Sequence, residues 1–231
     1  MRAEPLIEKY YPSAQHPYRL FETRVKNLLR SNSILLDAGC GRTAERLQRL
    51  SPFARFGIGI DLVKFQNPSS GLQLLKADLE HIPLRSCSVD VVMSVSVMEH
   101  LRNPIGAYQE IHRVLKPGGR FLFLTPNLWD YGSLAAKFIP SLLHPFLVAR
   151  SEGRKEQDTF PTYFRTNTLR AVRKLAHQSG FLVEHHEYLG QYPNYLLFSR
   201  LLFYLGMAFE KTIPKMIPPL RGWLAVTLLR S

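Results

Sequence analysis

The sequence predicts one α/β domain in which a doubly wound, mostly parallel sheet of seven strands is covered by helices on both faces. Short apolar segments rich in β-branched residues alternate with connections long enough for a helix, which is the pattern of βα units. A length of 231 residues with 45% hydrophobic and 21% charged positions suits one domain with a sizeable core. The ordinary glycine and proline content excludes collagen-like, low-complexity and disordered chains.

The elements follow one another regularly in the first half of the chain. An amphipathic helix is predicted at residues 15–30, where apolar side chains recur every three or four positions among charged ones. Two further helices are predicted at 43–50, with Thr43 as the N-cap, and at 104–115, ended by Lys-Pro-Gly-Gly. Apolar segments predict strands at residues 34–36, 56–60, 72–75, 89–97 and 121–124.

The second half is less regular, but nothing in it marks a second domain. A long connection at residues 128–160 precedes a helix for which Thr166 or Asn167 is the predicted N-cap. The last two strands are predicted at 181–188 and 223–229, and a helical insertion at 191–220 separates them. We expect residues 1–231 to form one domain in four segments: residues 1–30, 33–127, 128–160 and 191–220, with the core in the second.

Charge and cysteine content restrict the partners and the setting. Thirty basic against 18 acidic residues give a net charge of +12, which favours an anionic partner, surface or substrate. Cys40 and Cys87 are too few for a disulfide framework or a four-cysteine zinc site, and a reducing cytoplasm is the simplest location. The first 20 residues do not resemble a signal peptide, and the longest apolar segment, residues 195–209, is shorter than a bilayer span.

The first predicted strand ends in the motif Asp37-x-Gly39-x-Gly41. Glycines at such a turn let backbone amides approach a ligand at the carboxyl edge of a sheet and at a helix N-terminus. The segment up to Ala44 also satisfies a relaxed dinucleotide-binding pattern, so a nicotinamide-dependent oxidoreductase is an alternative at this point. Asp61, at the end of the second strand, does not discriminate, because an acidic residue there can hold ribose hydroxyls in this class and in other classes that bind an adenosine-containing cofactor.

Five motifs in series favour another class over the nicotinamide-dependent oxidoreductases. They are Leu-Leu-Asp-Ala-Gly-Cys-Gly at 35–41, Gly-Ile-Gly-Ile-Asp at 57–61, Lys-Ala-Asp at 76–78, the segment 90–101, and the segment 115–126 with its Lys-Pro-Gly-Gly turn. In order and spacing over residues 33–127 the chain resembles the class I S-adenosylmethionine-dependent methyltransferases, in the small-molecule group that includes the ubiquinone-biosynthesis enzymes. Dehydrogenases lack the turn before the fifth strand. The resemblance implies S-adenosylmethionine as cofactor and a reversed last strand.

The resemblance also implies a set of cofactor-binding residues: Asp37, Gly39, Cys40, Gly41, Asp61, Leu62, Asp78, Leu79, Ser94 and Ser96. In this set Asp37 and the two glycines line the methionine part, and Asp61 accepts hydrogen bonds from both ribose hydroxyls. Asp78 meets the adenine amino group, with Leu62 and Leu79 on the ring faces, and the two serines lie beneath the sulfonium. Taken singly, Asp37 and Asp78 are equally explained as residues that bond their own turns.

Glu99 and His100, just after the fourth strand, are the candidate catalytic pair. His100 is suited to accept a proton from a hydroxyl acceptor near neutral pH. The alternative is that the pair only stabilises the strand-to-helix turn. His185 and His186 are adjacent on a predicted strand and point to opposite faces, so no metal site is predicted.

The acceptor is expected to be a small molecule, a glycan or a lipid-linked intermediate, methylated on oxygen. A nucleic acid is not expected, because the Asn/Asp-Pro-Pro-aromatic element of many base-modifying enzymes is absent after the fourth strand. A binding module without catalysis is a further alternative. Residues 195–221 combine apolar residues with Lys211, Lys215 and Arg221, so they predict a lid, a dimer contact or a surface for an anionic membrane at the cytoplasmic face. The sequence does not indicate an oligomeric state.

Overall fold

The computed structural model describes residues 4–66, 71–130, 160–193, 196 and 199–231. Within this part of the chain, seven strands form one sheet. They are β1 (Ile34–Ala38), β2 (Phe56–Asp61), β3 (Leu72–Lys76), β4 (Val89–Val95), β5 (Leu115–Pro126), β6 (Phe181–Leu189) and β7 (Trp223–Arg230). Most of the predicted connection at residues 128–160 lies outside the described residues.

The strands lie in the spatial order β3-β2-β1-β4-β5-β7-β6. Strands β1 to β5 pair in parallel, whereas β7 is antiparallel to both of its neighbours, β5 and β6. The strand order reverses between β1 and β4, and such a switch point leaves a crevice at the carboxyl ends of the strands. The predicted doubly wound sheet with a reversed last strand is confirmed.

Helices cover both faces of the sheet. The described helices are α1 (Glu4–Tyr10), α2 (Pro17–Leu28), α3 (Glu45–Leu50), α4 (Pro104–Val114), α5 (Leu169–Gln178) and α6 (Arg200–Met216). Helix α6 lies between β6 and β7, so the predicted helical insertion before the last strand is confirmed. No helix of the described part is long and apolar enough to cross a membrane.

The core has two halves because successive side chains of a strand point to opposite faces. On one face, Tyr108 of α4 and Val172 of α5 pack in a cluster with Phe121 and Phe181. On the other face, α2 and α3 contribute Phe21, Val25 and Leu47, which pack with Leu35 and Met93. Helices α2 and α3 thus cover this second face of the sheet.

Two predicted helix caps are wrong. Helix α3 begins at Glu45 after Ala44, which has a left-handed backbone with φ of 49°, so Thr43 is not the N-cap. Helix α5 begins after Thr168, whose side chain accepts a hydrogen bond from the Ala171 N–H. Thr166 and Asn167, the predicted caps, are instead fully buried in polar contacts near the ends of β4 and β5.

The Lys-Pro-Gly-Gly segment bulges out of a continuous strand. Strand β5 already begins at Leu115, which pairs with Val89, and the next pair joins Arg120 to Val91. The intervening residues are therefore looped out, with Gly118 at a φ of 76°. The strand begins six residues earlier than its apolar run predicts, whereas β4 ends two residues earlier, at Val95.

Candidate active site

The loop after β1 brings the backbone to the open edge of the sheet. Gly39 and Gly41 have φ angles of 85° and 74°, which residues with a side chain rarely adopt. A Cβ atom on Gly39 would lie 2.2 Å from Cγ2 of Val97, so the segment after β4 leaves no room for a side chain. A Cβ atom on Gly41 would meet no atom within 4 Å, so this glycine faces open space. A ligand can therefore approach the backbone of the loop closely.

The side chain of Cys40, between the two glycines, points away from solvent. It is buried, and burial raises the pKa of its thiol. A Cβ atom on Gly59 would lie 2.8 Å from the Cys40 sulfur, so the side chain fills the space between β1 and β2. Cys40 is therefore a protonated packing residue and not a nucleophile.

Asp37 is the most unusual residue of the site. It is completely buried at the end of β1, and neither carboxylate oxygen has a hydrogen-bond partner among the described residues. Burial raises the pKa of Asp37 to about 7, and the opposing effect of Arg46 is smaller. An orphaned buried carboxylate is destabilising unless a cation or a donor reaches it. The site is thus prepared for a positively charged or hydrogen-bonding ligand group.

Asp61 joins the loops that follow β1 and β2. Its Oδ2 atom accepts a hydrogen bond from the Gly41 N–H at 2.7 Å, and its Oδ1 atom accepts one from the Val63 N–H at 3.1 Å. Each carboxylate oxygen can accept a second hydrogen bond, so the side chain retains capacity for two ligand hydroxyls. Asp61 therefore fixes the glycine loop as well as offering acceptors.

The residues predicted to surround adenine lie at different depths. The Asp78 Oδ1 atom accepts a hydrogen bond from the Glu80 N–H at 3.0 Å, so Asp78 does bond its own turn. Leu62 is 51% exposed beyond β2, whereas Leu79 is buried in the core. Leu62 thus has a free face for a ring, and Leu79 has little.

The two serines at the end of β4 have separate tasks. The buried Ser94 hydroxyl donates to the Ala38 carbonyl at 2.7 Å and thereby ties β4 to β1. Ser96 has a left-handed backbone with φ of 56°, and its hydroxyl lies 3.2 Å from that of Tyr18 on α2. Ser96 and Tyr18 therefore connect the end of β4 with the N-terminal helices.

Glu99 and His100 lie on a short 3-10 helix, Met98–His100, directly after β4. The Nδ1 atom of His100 is 3.0 Å from the Pro161 carbonyl and must carry the proton to donate to it, so the neutral ring leaves Nε2 as the basic nitrogen. The buried Glu99 carboxylate has its Oε1 atom 3.9 Å from that Nε2 and accepts a hydrogen bond from the Thr125 hydroxyl at 3.0 Å. The pair is thus arranged as an imidazole with a carboxylate beside its basic nitrogen.

Behind this pair lies a buried polar network that sequence reasoning missed. The Asn167 amide donates to the Thr125 hydroxyl at 2.8 Å and to the Pro126 carbonyl at 2.7 Å. The Thr166 hydroxyl donates to the Met98 carbonyl at 2.9 Å. These contacts join residues separated by 41 to 68 positions, so no local pattern indicates them. They hold the Met98–His100 helix against the ends of β5 and α5.

A cavity of about 1370 Å³ opens between the N-terminal helices and the insertion. From the N-terminal side it is lined by α1, the start of α2 and the segment between them, including Tyr10, Tyr11 and Tyr18. The insertion side contributes residues 190–192 together with Glu210 and Lys211 of α6. Tyr18 joins the cavity to Ser96, whereas neither Glu99 nor His100 lines it. Volume of this order suits a ligand of substantial size.

Contacts between aromatic residues hold the two walls together. The rings of Tyr10 and Tyr204 are 5.9 Å apart, and those of Tyr11 and Phe203 are 6.3 Å apart. Phe203 is completely buried, so one side of α6 packs on the N-terminal segment. Leu201 and Leu205 point to solvent, with 69% and 59% of their surface exposed.

The fold and site define a class of protein, and comparison with known proteins agrees. A family described as "Methyltransferase domain" matches residues 36–123. A candidate methyltransferase of Encephalitozoon cuniculi is 30% identical over 175 residues, which cover 69% of this chain and 75% of that protein. The chain belongs to this methyltransferase family, and its cofactor is S-adenosylmethionine. The nicotinamide-dependent alternative is therefore wrong.

Other matches are shorter or concern the fold alone. A candidate S-adenosylmethionine-dependent methyltransferase of Mycolicibacterium smegmatis is 36% identical over 98 residues, 40% of this chain and 38% of that protein. Several further relatives, of which the chain also covers only about a third, are named for tRNA U34, malonyl-[acyl-carrier protein] or cycloartenol modification. A solved complex of the Haloferax volcanii Trm112 methyltransferase activator and a candidate methyltransferase aligns with a TM-score of 0.63 at 16% identity, over 99% of this chain and 95% of that one.

The described residues fit the cofactor. S-adenosylmethionine carries an ammonium and a sulfonium group, and the orphaned carboxylate of Asp37 lies beside the glycine loop at the switch point. The open face of Gly41 leaves space for a ligand there. No three histidine, cysteine, aspartate or glutamate side chains form a metal-binding group among the residues with described positions.

Proposed function

We propose that this chain transfers a methyl group from S-adenosylmethionine to an oxygen atom of a small molecule, a glycan or a lipid-linked intermediate bound in the cavity. The observation that carries the proposal is the contact between Tyr18, in the cavity wall, and Ser96, at the end of β4. It connects the cavity to the strand end that is expected to lie beneath the sulfonium. When bound, the cofactor supplies an electrophilic methyl group.

The chain's own residues would orient the two reactants and exclude water. In the proposal, Asp37 and the glycine loop hold the methionine part, and Asp61 holds the ribose. Asp78, Leu62 and Leu79 surround adenine. Cys40 supports the loop from behind, and Ser94 and Ser96 fix the end of β4. The orphaned oxygens of Asp37 are the strongest support among these assignments.

His100 is proposed as the general base for a hydroxyl acceptor, with Glu99 beside it. The proton-free Nε2 atom of the neutral ring is the accepting atom, and the Glu99 carboxylate would stabilise the imidazolium that forms. Because His100 does not line the cavity, this role requires the acceptor oxygen to lie between Ser96 and the Met98–His100 helix.

The proposal also includes reversible binding to an anionic membrane from the cytoplasmic side. The exposed leucines of α6 do not line the cavity, so they are not explained as the inner surface of a lid. Apolar burial in the lipid interface and attraction of the basic chain, with its net charge of +12, to anionic lipid would both favour binding. The free thiols of Cys40 and Cys87 are consistent with a reducing compartment.

Two measurements test the enzyme proposal. Calorimetric titration should detect S-adenosylhomocysteine binding to the folded protein, and its absence would remove the cofactor site. Radiolabelled S-adenosylmethionine should then transfer label to a small-molecule or lipid fraction of a cell extract. Cofactor binding without transfer to any fraction would support a binding module in place of an enzyme.

A further inference from the structure

The charges of the cavity wall carry an inference that rests on the proposed function and specifies the acceptor. The side chains that line the cavity include five cationic ones, Lys9, Arg19, Arg49, Lys211 and Arg221, and three carboxylates, Glu22, Glu45 and Glu210. Lys9, Arg19, Arg49 and Lys211 are exposed at the wall of the cavity, so the excess of positive charge is accessible to an anion from solvent.

Arginines on one side of the cavity are already engaged with a carboxylate. Glu22 accepts hydrogen bonds from Arg49 at 2.5 Å and from Arg19 at 3.0 Å, and Arg46 lies 3.7 Å away. These contacts lower the pKa of Glu22, although burial opposes them. Arg19 and Arg49 are therefore structural partners of Glu22, and Arg221 donates a hydrogen bond to the Tyr188 carbonyl at 3.0 Å.

The lysines on the other side have no such partner. The ammonium groups of Lys9 and Lys211 lie 5.2 Å and 5.7 Å from the centre of the same ring, that of Tyr10, so the two charges are no more than about 11 Å apart. Neither ammonium group has a carboxylate partner among the described residues. Solvent screens the repulsion between these two exposed charges, but an anion placed between them would be attracted by both.

Aromatic groups complete this end of the cavity. Lys211 also lies 5.9 Å from the ring of Tyr11, whose hydroxyl is buried and has no hydrogen-bond partner in the described structure. Burial and the charge of Glu210 raise the pKa of Tyr11 to about 12, so this hydroxyl keeps its proton and remains a donor. A ligand here would meet two ammonium groups and aromatic rings, with the Glu210 carboxylate also in the cavity wall.

We infer that the cavity binds an anionic group of the acceptor, a phosphate or a carboxylate, between Lys9 and Lys211, while the tyrosine rings pack against its uncharged part. A lysine ammonium suits either anion, because it acts as a compact point charge with no fixed bidentate geometry. The methyl-accepting oxygen would then belong to the remainder of the ligand, toward Tyr18 and Ser96.

The test compares two double variants that remove the same charge. Lys9→Gln with Lys211→Gln changes the cavity, whereas Arg170→Gln with Lys174→Gln changes exposed positions on α5, on the opposite face of the sheet. Calorimetric titration with pyrophosphate at low ionic strength, and with citrate as a carboxylate probe, should give at least tenfold weaker binding to the cavity variant only. Equal binding to wild type and cavity variant, equal weakening in both variants, or no binding of either probe to the wild type overturns the inference.

A further arm distinguishes the source of a bound phosphate. A short-chain soluble phosphatidic acid that binds at least tenfold more tightly than pyrophosphate, with the same dependence on the two lysines, would indicate a lipid headgroup. Tighter pyrophosphate binding would indicate a free phosphate compound. S-adenosylhomocysteine titration of all three proteins keeps the two proposals separate: its failure removes the enzyme proposal, whereas intact cofactor binding beside unchanged anion binding removes only the anion site.

Discussion

A buried carboxylate without partners makes the stability of the ligand-free protein depend on pH, and Asp37 is such a group. Its pKa is about 7 in the folded protein and has the ordinary value of 3.8 in the unfolded chain. Between these values the folded state holds a proton that the unfolded state has lost, so its contribution to the free energy of unfolding falls as pH rises and stays low above 7. The difference between the two pKa values corresponds to a loss of roughly 4 kcal/mol at most in the free energy of unfolding.

We expect Asp37→Asn to remove this dependence. The variant should be more stable than wild type by roughly 2–4 kcal/mol at pH 8, and by much less near pH 4. It should also bind S-adenosylhomocysteine more weakly, because the ligand loses its anionic partner. Urea unfolding of both proteins from pH 4 to pH 8 measures the effect. Parallel stability curves for the two proteins would contradict the unusual titration of Asp37.

Asp61→Ala tests the second carboxylate of the site. Its loss removes two hydrogen bonds to a charged acceptor, each worth about 1.5–3 kcal/mol, so affinity for S-adenosylhomocysteine should fall on the order of a hundredfold or more. Asp61→Asn keeps one acceptor oxygen, so its affinity for S-adenosylhomocysteine should lie between those of wild type and Asp61→Ala. The temperature of thermal unfolding should decrease modestly in Asp61→Ala, because the contacts to Gly41 and Val63 are lost. Unchanged cofactor affinity in the alanine variant would exclude Asp61 from the ribose site.

His100→Asn separates a catalytic role from a structural one. Asparagine can keep a donor toward the Pro161 carbonyl but cannot take up a proton. If His100 is the base, kcat should fall by about 10²–10⁴ while cofactor affinity is unchanged, and the acidic limb of the pH profile of kcat should disappear. A kcat within twofold of wild type would leave the pair with only its role in the turn.

At the scale of single residues, the sequence indicates the positions of charged residues and glycines in the site better than it indicates their tertiary contacts. Asp37, Gly39 and Gly41 lie at the end of a strand and just after it in a recognisable spacing, so their position at the sheet edge could be predicted. Tyr18 could not, because its link to Ser96 spans 78 residues and depends on how α2 crosses the strand ends. The Thr125 and Asn167 network was missed for the same reason, since tertiary contacts and not local patterns bring these groups together.

Among the elements, α6 carries the prediction with the clearest control. Replacing Leu201 and Leu205 with glutamate should weaken binding to phosphatidylglycerol-containing vesicles at least tenfold, because apolar burial contributes roughly 25 cal/mol per Å² and the added charges face anionic lipid. Leu182→Glu alters a leucine of comparable exposure, 57%, on β6 and should leave binding unchanged. Co-sedimentation at low and high salt measures both.

Two outcomes would redirect this interpretation of α6. If wild-type protein stays in the supernatant with anionic vesicles at low salt, the helix does not bind membranes. If sedimentation velocity then finds a dimer that the glutamate variants dissociate, the exposed leucines form a contact between two copies. Phe203 is buried against the N-terminal segment, whereas Leu201 and Leu205 are exposed. The glutamate substitutions therefore change the outer surface of α6 without disturbing its packing on the rest of the protein.

Element types could be predicted where one physical signal dominates. The central strands β1, β2 and β4 coincide with runs of mostly apolar residues, because strands buried on both faces have little room for polar side chains. Boundaries depend on subtler energies. The residue before α3 is Ala44, which has a left-handed backbone and makes no side-chain cap. Thr43 is therefore one position too early to be the N-cap. Strand β5 begins at Leu115, directly before a Lys-Pro-Gly-Gly segment that is typical of turns, so its start could not be predicted from the sequence.

For the whole molecule, the doubly wound sheet with its reversed last strand could be predicted but the cavity could not. The sheet follows from a series of βα units, whereas the cavity depends on α1 and α6, which are almost 200 positions apart in sequence. Their contacts involve tyrosine and phenylalanine side chains that a sequence pattern assigns equally to a core, a lid or an interface. The anion-binding lysines were hidden for this reason, since only the packing of the two helices brings them to one ring.

The net charge of +12 makes one last prediction, about nucleic acid. A strongly basic protein binds polyanions without regard to sequence, and such binding falls steeply as salt rises. We therefore expect unfractionated tRNA to bind at low salt and to be released at physiological salt. It should receive no methyl label there, because the expected acceptor is the small anionic ligand of the cavity.

The tRNA comparison includes the cavity variant as its control. Lys9→Gln with Lys211→Gln should reduce labelling of the small-molecule or lipid fraction much more than it reduces tRNA binding, since the phosphate contacts of tRNA would spread over many surface cations. Methyl label that appears in tRNA at physiological salt, and disappears in the Asp61→Ala variant, would make a polynucleotide the acceptor. In that case the cavity would have to hold a single nucleotide of the chain, with its phosphate at the two lysines.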